Sequence, residues 1–287
     1  MTKKTKKLLS YLLIFLTLAG IAFYNRSDSN VNSKGRVNLG YVEWDSEIAS
    51  TYVMKTVLED MGYRVVITPL DNAIMWNALS NGDVDATLSA WLPNTHKEQY
   101  DDYQDKIVDL GPSLIGARVG LVVPSYMEID SIDELTTQAN QTITGVEAGA
   151  GVVSATEQVM KDYPNLADWH LVPASSGAMV TALAKAIEKQ EDIVVTGWSP
   201  HWMFAKYDLK YLADPKNAFG NAEEIKTITR KNLNEDLPEV NTVLDNFNWS
   251  VEDMEEIMLP ISEGQDPNVV AREWVDAHPE QVQSWMY

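Results

Sequence analysis

Apolar and polar positions after residue 36 follow two alternating patterns, short apolar runs and longer amphipathic segments. This alternation predicts an α/β fold. The apolar runs predict strands over residues 37–42, 64–69, 86–90, 119–123, 143–146 and 193–196. The amphipathic segments predict helices over residues 48–61, 74–80 and 179–189. Gly62 and Asn81–Gly82 are typical helix ends, and the pattern after Tyr211 predicts mostly helices.

The first 35 residues do not follow this alternation. Four lysines precede an uncharged apolar run from Leu8 to Tyr24, which is typical of an export signal or a membrane anchor. We expect residues 8–24 to anchor the chain to the cytoplasmic membrane, with residues 25–34 as a tether and the body on the extracellular face. Cleavage near Gly20–Ile21–Ala22, with export, is the alternative. The chain has no cysteine, which excludes lipid attachment at Ile21, where a lipoprotein signal would need one.

The body is long enough for two lobes. We predict that lobe I comprises residues 36–122 and 223–287 and that lobe II is inserted at 123–222, after a signal or anchor segment and tether at 1–35. Two chain crossings of this kind form a hinge. They place a ligand cleft between the lobes.

Charge and motif content exclude several function classes. Residues 1–36 hold seven of the 22 Lys and Arg residues but one of the 42 acidic residues, so the remainder has a net charge of −26. Such a body repels nucleic acid and anionic lipid. No HExxH, CxxC or EF-hand spacing supports a metal site, and Ser154 replaces the third glycine of a dinucleotide loop. With no cysteine and no GxSxG motif, we predict a binding protein without cofactor or metal rather than an enzyme.

Three tryptophans come at the ends of strand-like runs: Trp44 in VNLGYVEWDSE, Trp91 in VDATLSAWLPNTH and Trp198 in DIVVTGWSPHW. The ends of strands in an open α/β sheet are where ligands bind. Indole faces attract cations, including quaternary ammonium groups that have no N–H to donate. We call Trp44, Trp91 and Trp198 the tryptophan cage. It predicts a quaternary ammonium ligand.

The segments YVEWDSEIAS, SAWLPNTHKE, GVEAGAGVVSATE and VTGWSPHWMFAKYDLKYLADPK resemble the glycine betaine binding proteins of bacterial osmoprotectant ABC importers, the OpuAC type. The resemblance extends from about Val37 to the C-terminus. It implies a two-lobe periplasmic-binding-protein-like (type II) α/β fold with a hinge and an interlobe ligand cleft. It also implies that Trp44, Trp91 and Trp198 surround the trimethylammonium group and that His96 with the amides of Gly151 and Val152 holds the carboxylate.

The residues around Gly151 support the second part of this expectation. Glu147 to Ser154 lead from a predicted strand into a helix that we expect to start near Ser154. Free N–H groups at a helix N-terminus attract anions.

The resemblance implies an ABC permease with cytoplasmic ATPase subunits as partner. Proline betaine, carnitine and sulfonium analogues stay open as ligands, whereas choline has no carboxylate for His96. A membrane-tethered sensor of a quaternary ammonium ligand is the alternative function; it would need a cytoplasmic signalling portion, and seven residues precede Leu8.

Overall fold

The computed structural model describes residues 33–287. The apolar run at residues 8–24 lies outside the described residues, so its role as an anchor or signal stays a prediction. Within residues 33–287, no helix has both the length and the apolar character needed to cross a bilayer. The nine strands of this part of the chain are β1 Arg36–Tyr41, β2 Arg64–Pro69, β3 Ala86–Leu92, β4 Ile107–Pro124, β5 Thr142–Thr144, β6 His170–Val172, β7 Val194–Ser199, β8 Leu209–Tyr211 and β9 Glu223–Arg230.

Helices follow most strands and then fill the C-terminal part of the chain. They are α1 Asp45–Asp60, α2 Asn72–Asn81, α3 Lys97–Tyr103, α4 Gly151–Asp162, α5 Ser176–Lys189, α6 Met203–Lys206, α7 Leu233–Asp236, α8 Pro238–Asn246, α9 Val251–Ser262, α10 Pro267–Ala277 and α11 Pro279–Ser284. Short 3₁₀ helices occupy Gln104–Lys106, Ile132–Glu134, Gln138–Gln141 and Pro164–Leu166. The predicted α/β class is therefore confirmed.

The strands form one mixed sheet in the order β2-β1-β3-β9-β4-β7-β5-β6, with β8 paired to β4. Strands β1, β2 and β3 are parallel to one another, as are β5, β6 and β7. Strand β9 is antiparallel to both β3 and β4. Each parallel group therefore has its carboxyl ends at one edge, where loops can form a binding site.

Strand β4 joins two sections of this sheet. Its residues Ile107–Ala117 pair with β9, and its residues Arg118–Pro124 pair with β7 and β8. We call β2, β1, β3, β9 and the start of β4 the first section and the remaining strands the second section, each taken with the helices and loops that connect its strands. Helices α9 and α10 pack against α1 beside the first section. The lobe boundaries at residues 122, 123, 222 and 223 stay a prediction.

The structure differs from the predicted elements in two places. The chain after Tyr211 is mostly helical, as predicted, but it also contains β9, which was not predicted and lies in the middle of the sheet between β3 and β4. The half-buried positions of β9 (Glu224, Lys226 and Arg230) are charged, while Ile225, Thr227 and Ile228 are buried, so the strand has no continuous apolar run. Strand β4 begins at Ile107, well before the predicted 119, since Gly111, Pro112 and Gly116 accompany its shifts of register.

Candidate ligand-binding site

All six residues predicted to bind the ligand line one cavity, whose atom-free space is about 340 Å³ when its opening to solvent is included. The cavity is lined by Trp44, Ser46, Trp91, Thr95, His96, Val119, Val146, Ala150, Gly151, Val152 and Trp198. Among these described lining residues, none has an acidic side chain or a lysine or arginine side chain. The structure thus brings the six together, and their roles in binding stay predictions.

Trp44 caps the N-terminus of α1 just after β1 ends. Sequence reasoning expected a loop here with a helix from residue 48, but α1 begins at Asp45. The indole N–H of Trp44 donates to a carboxylate oxygen of Glu147 in the second section. Its ring stacks on the His96 imidazole, with ring centroids 5.6 Å apart and planes 21° apart. These two contacts fix the orientation of the Trp44 face toward the cavity.

Trp91 and Trp198 lie within strands rather than in the loops that follow them. Strand β3 continues through Trp91 to Leu92, and β7 continues through Trp198 to Ser199. Trp198 lies opposite Val119 of β4, and the His201 ring meets its indole edge to face at 4.5 Å between centroids. Because strand backbone holds both indoles, these two side chains are held more rigidly than they would be in a loop.

His96 caps α3 and forms a compact turn with Trp91. The Trp91 N–H donates to His96 Nδ1 at 3.1 Å, and the His96 N–H donates to the Trp91 carbonyl at 2.9 Å. Since Nδ1 accepts, the neutral imidazole has its proton on Nε2. Burial lowers the pKa of His96 to about 4, although the Ser89 carbonyl opposes this shift. His96 is therefore neutral at pH 7, with Nε2–H as its donor.

Glu223 holds the turn that presents His96. Its carboxylate accepts the N–H groups of Asn94 and Thr95, at 2.9 and 2.8 Å, and the Thr95 hydroxyl. Glu223 is buried in β9. Strand β9, which was not predicted from the sequence, therefore positions the turn that carries His96.

The glycine-rich segment ends at the N-terminus of α4. Helix α4 begins at Gly151, three residues before the expected start at Ser154. The first N–H groups of a helix have no partner within it, so those of Gly151 and Val152 are donors at the positive end of the helix. A Cβ on Gly151 would lie 2.4 Å from Thr95 Cγ2 and 2.5 Å from the Thr95 carbonyl oxygen. Only glycine permits the approach that brings His96 and the α4 N-terminus together.

Two acids after Trp44, missed by sequence reasoning, support the site from outside the cavity. Asp45 accepts hydrogen bonds from Ser176 and Trp202 of the second section. Glu47 is buried and accepts from the Thr87 hydroxyl at 3.1 Å. Burial raises the pKa of Glu47 to about 8, and the nearby Val42 backbone, Thr87 hydroxyl and Ser89 hydroxyl oppose this shift. Acids in a first helical turn are common, so their positions in the sequence carried no signal of this role.

The arrangement can hold a small zwitterion. Three indole side chains line the cavity, together with the first two residues of α4 and the His96 imidazole. Over residues 33–287, His, Asp and Glu side chains form no group of three or more that could hold a metal ion. The site therefore has the chemistry of recognition by indole faces and neutral donors.

Residues 35–277 match the family model described as the substrate-binding domain of ABC-type glycine betaine transport systems. The chain is 51% identical over 158 residues to the glycine betaine/carnitine transport binding protein GbuC of Listeria monocytogenes, covering 54% of this chain and 52% of that protein. The alignment thus spans about half the length of that relative.

Solved structures extend the similarity over most of the chain. Lactococcal OpuAC in a closed-liganded conformation, complexed with glycine betaine, is 52% identical with a TM-score of 0.87, covering 88% of this chain and all of that one (100%). The glycine betaine/L-proline-binding protein ProX of Borrelia burgdorferi is 36% identical with a TM-score of 0.85, covering 88% and 97%. The expected periplasmic-binding-protein-like α/β fold is therefore confirmed.

Proposed function

The chain belongs to the family of substrate-binding domains of ABC-type glycine betaine transport systems, and we propose that it captures glycine betaine in the tryptophan cage and delivers it to an ABC permease. The observation that carries this proposal is the meeting of three indoles, a neutral imidazole and a helix N-terminus in one cavity. The lactococcal relative complexed with glycine betaine supports the same ligand.

The cage suits a trimethylammonium group because this cation is diffuse, weakly hydrated and without a hydrogen-bond donor. A carboxylate in the wall would lose more solvation than it regained, whereas indole faces have little hydration to lose. Each indole contributes about 0.5–2 kcal/mol, depending on how completely the cation is desolvated. Three walls can therefore select the cation without a formal negative charge.

The carboxylate of the ligand would be held at the opposite pole. The amides of Gly151 and Val152 donate from the N-terminus of α4, and His96 donates through Nε2–H. Donors to a charged acceptor form shorter and stronger hydrogen bonds than donors to a neutral one. Trp44, Trp91 and His96 belong to the predicted lobe I, and Gly151, Val152 and Trp198 to lobe II. Ligand contact with both poles would therefore favour closure of the lobes.

The protein would act outside the cell, at the surface of the cytoplasmic membrane. Residues 8–24 would anchor it there, or would be removed on export. The closed form would dock on a permease whose cytoplasmic ATPase subunits drive import of the osmoprotectant. Membership of a family of transport substrate-binding domains, and the similarity to a transport binding protein, support this assignment over an enzyme.

Calorimetry of the purified body, residues 33–287, with a panel of ligands tests the proposal. Glycine betaine should bind with a change in intrinsic tryptophan fluorescence. The affinities for proline betaine, carnitine and choline would show how far the ammonium and the carboxylate sides of the site each accept a changed ligand. Glycine should bind far more weakly, because its ammonium N–H groups would be left without acceptors against the indoles. No heat and no fluorescence change with millimolar glycine betaine would refute the proposed ligand, and equal affinity for glycine would refute the cage.

A further inference from the structure

Asp45 connects the two sections of the sheet directly behind the cage. It is the first residue of α1 and follows Trp44. Its Oδ2 accepts from the Ser176 hydroxyl at 2.7 Å, and its Oδ1 accepts from the Trp202 indole N–H at 2.7 Å. Ser176 begins α5 and Trp202 follows β7. Both oxygens of one carboxylate are thus bonded to the opposite section.

His201 completes the contact and leads to the cage. Its Nδ1 accepts the Met203 N–H at 3.1 Å, which leaves the ring proton on Nε2, and Nε2 lies 3.4 Å from Asp45 Oδ2. The fully buried His201 ring lies against both Trp198 and Trp202, at 4.5 and 5.4 Å between centroids. Asp45 therefore contacts the residues that pack behind the Trp198 wall.

The electrostatic setting keeps this carboxylate ionised. Burial alone would raise the pKa of Asp45, but the interactions with His201, Trp202 and Ser176 outweigh it and lower the pKa to about 2. Asp45 lies in the first turn of α1 and accepts from the first residue of α5. Both helix N-termini favour negative charge.

We propose that Asp45 is a positioning residue that latches the two sections together and sets how long the ligand is retained. This inference rests on the proposed function. Asp45 does not line the cavity, so it acts through the residues behind Trp44 and Trp198. A ligand enclosed between the sections leaves when they separate, and separation breaks both hydrogen bonds of Asp45. Its loss should therefore raise the dissociation rate constant koff and leave the association rate constant kon nearly unchanged.

Stopped-flow tryptophan fluorescence with glycine betaine tests the latch in the body, residues 33–287. Hydrogen bonds to a charged group correspond to about 10- to 100-fold in an equilibrium constant, so Asp45→Ala should raise koff by about that factor with kon within about threefold. Glu43→Ala is the matched control, because it removes the same charge from an exposed residue two positions earlier. It should leave both rate constants as in the native chain.

Trp202→Phe provides a second, milder variant that removes one donor and keeps an aromatic ring. It should raise koff by a smaller factor, and it should add little to koff in the Asp45→Ala background, because its partner is already absent. A native koff in Asp45→Ala, an equal rise in Glu43→Ala, or full additivity with Trp202→Phe would overturn the latch. A native chain that binds no glycine betaine would instead refute the proposed function, and the latch with it.

Discussion

Substituting Gly151 by Ala should weaken ligand binding without weakening the fold. The added Cβ would lie 2.4 Å from Thr95 Cγ2, 2.5 Å from the Thr95 carbonyl oxygen and 3.1 Å from His96 Cδ2. The threonine methyl can rotate, but the carbonyl is backbone held by the turn that Glu223 anchors. Ordinary contact would require the α4 N-terminus to move away from Thr95 by roughly 1 Å.

The expected magnitude follows from the cost of overpacking. Inserting a methyl group into a packed contact typically costs about 1–3 kcal/mol, which corresponds to a loss of affinity of about 5- to 150-fold. Gly151 is also the first residue of α4, and alanine is the better helix former by about 0.5–1 kcal/mol. The proposed function requires the two sections to separate when no ligand is bound, so the melting temperature without ligand should not fall.

Titration calorimetry with glycine betaine measures the affinity, and thermal unfolding without ligand measures the fold. Gly177→Ala is the matched control, because Gly177 also lies in the first turn of a helix, α5, and no atom lies within 4 Å of its added Cβ. It should bind as the native chain does. A Gly151→Ala chain with affinity within twofold of native would show that this close approach is not needed for binding.

Three further predictions concern the cage, His96 and Glu47. Replacing Trp198 by Leu should weaken glycine betaine binding by about 1–2 kcal/mol in calorimetry; an unchanged affinity with the fold intact would remove its indole from the cage. The pKa of His96 is lowered from 6.5 to about 4 by burial. Its contribution to the free energy of unfolding is therefore complete above pH 6.5 and is lost as the pH falls to 4, a loss on the order of 3 kcal/mol. Urea unfolding from pH 7 to 4 should show this loss in the native chain and not in His96→Gln. The same dependence of the free energy of unfolding on pH in both chains would contradict it. The pKa of Glu47 is raised from 4.5 to about 8 by burial, so its contribution is complete below pH 4.5 and is lost as the pH rises through 8. Glu47→Gln, which stays neutral, should therefore lose less thermal stability than the native chain from pH 5 to 9, and an equal loss would argue against a protonated Glu47.

Local pattern predicted much of the fold. Strand β2 has the expected bounds, and β1, β3 and α5 lie within a few residues of the predicted ones, because an apolar run or an amphipathic period is carried by neighbouring residues. Strand β9 was missed since its pairing with β3 and β4 covers positions whose own side chains alternate between buried and charged. A strand in the centre of a sheet is recognised from its neighbours, and these are distant in the chain.

The sequence by itself determined the α/β class, the family and the six residues that meet in the cavity, because indoles at strand ends and a glycine-rich turn are local features with a specific chemistry. Only the tertiary structure decided how these residues are held. Asp45 looks like any acid in a first helical turn until Ser176 and Trp202, 131 and 157 residues away, are found against it. The need for glycine at position 151 likewise depends on the approach of Thr95. Burial and pairing across the cleft are properties of the assembled chain, so no local pattern records them.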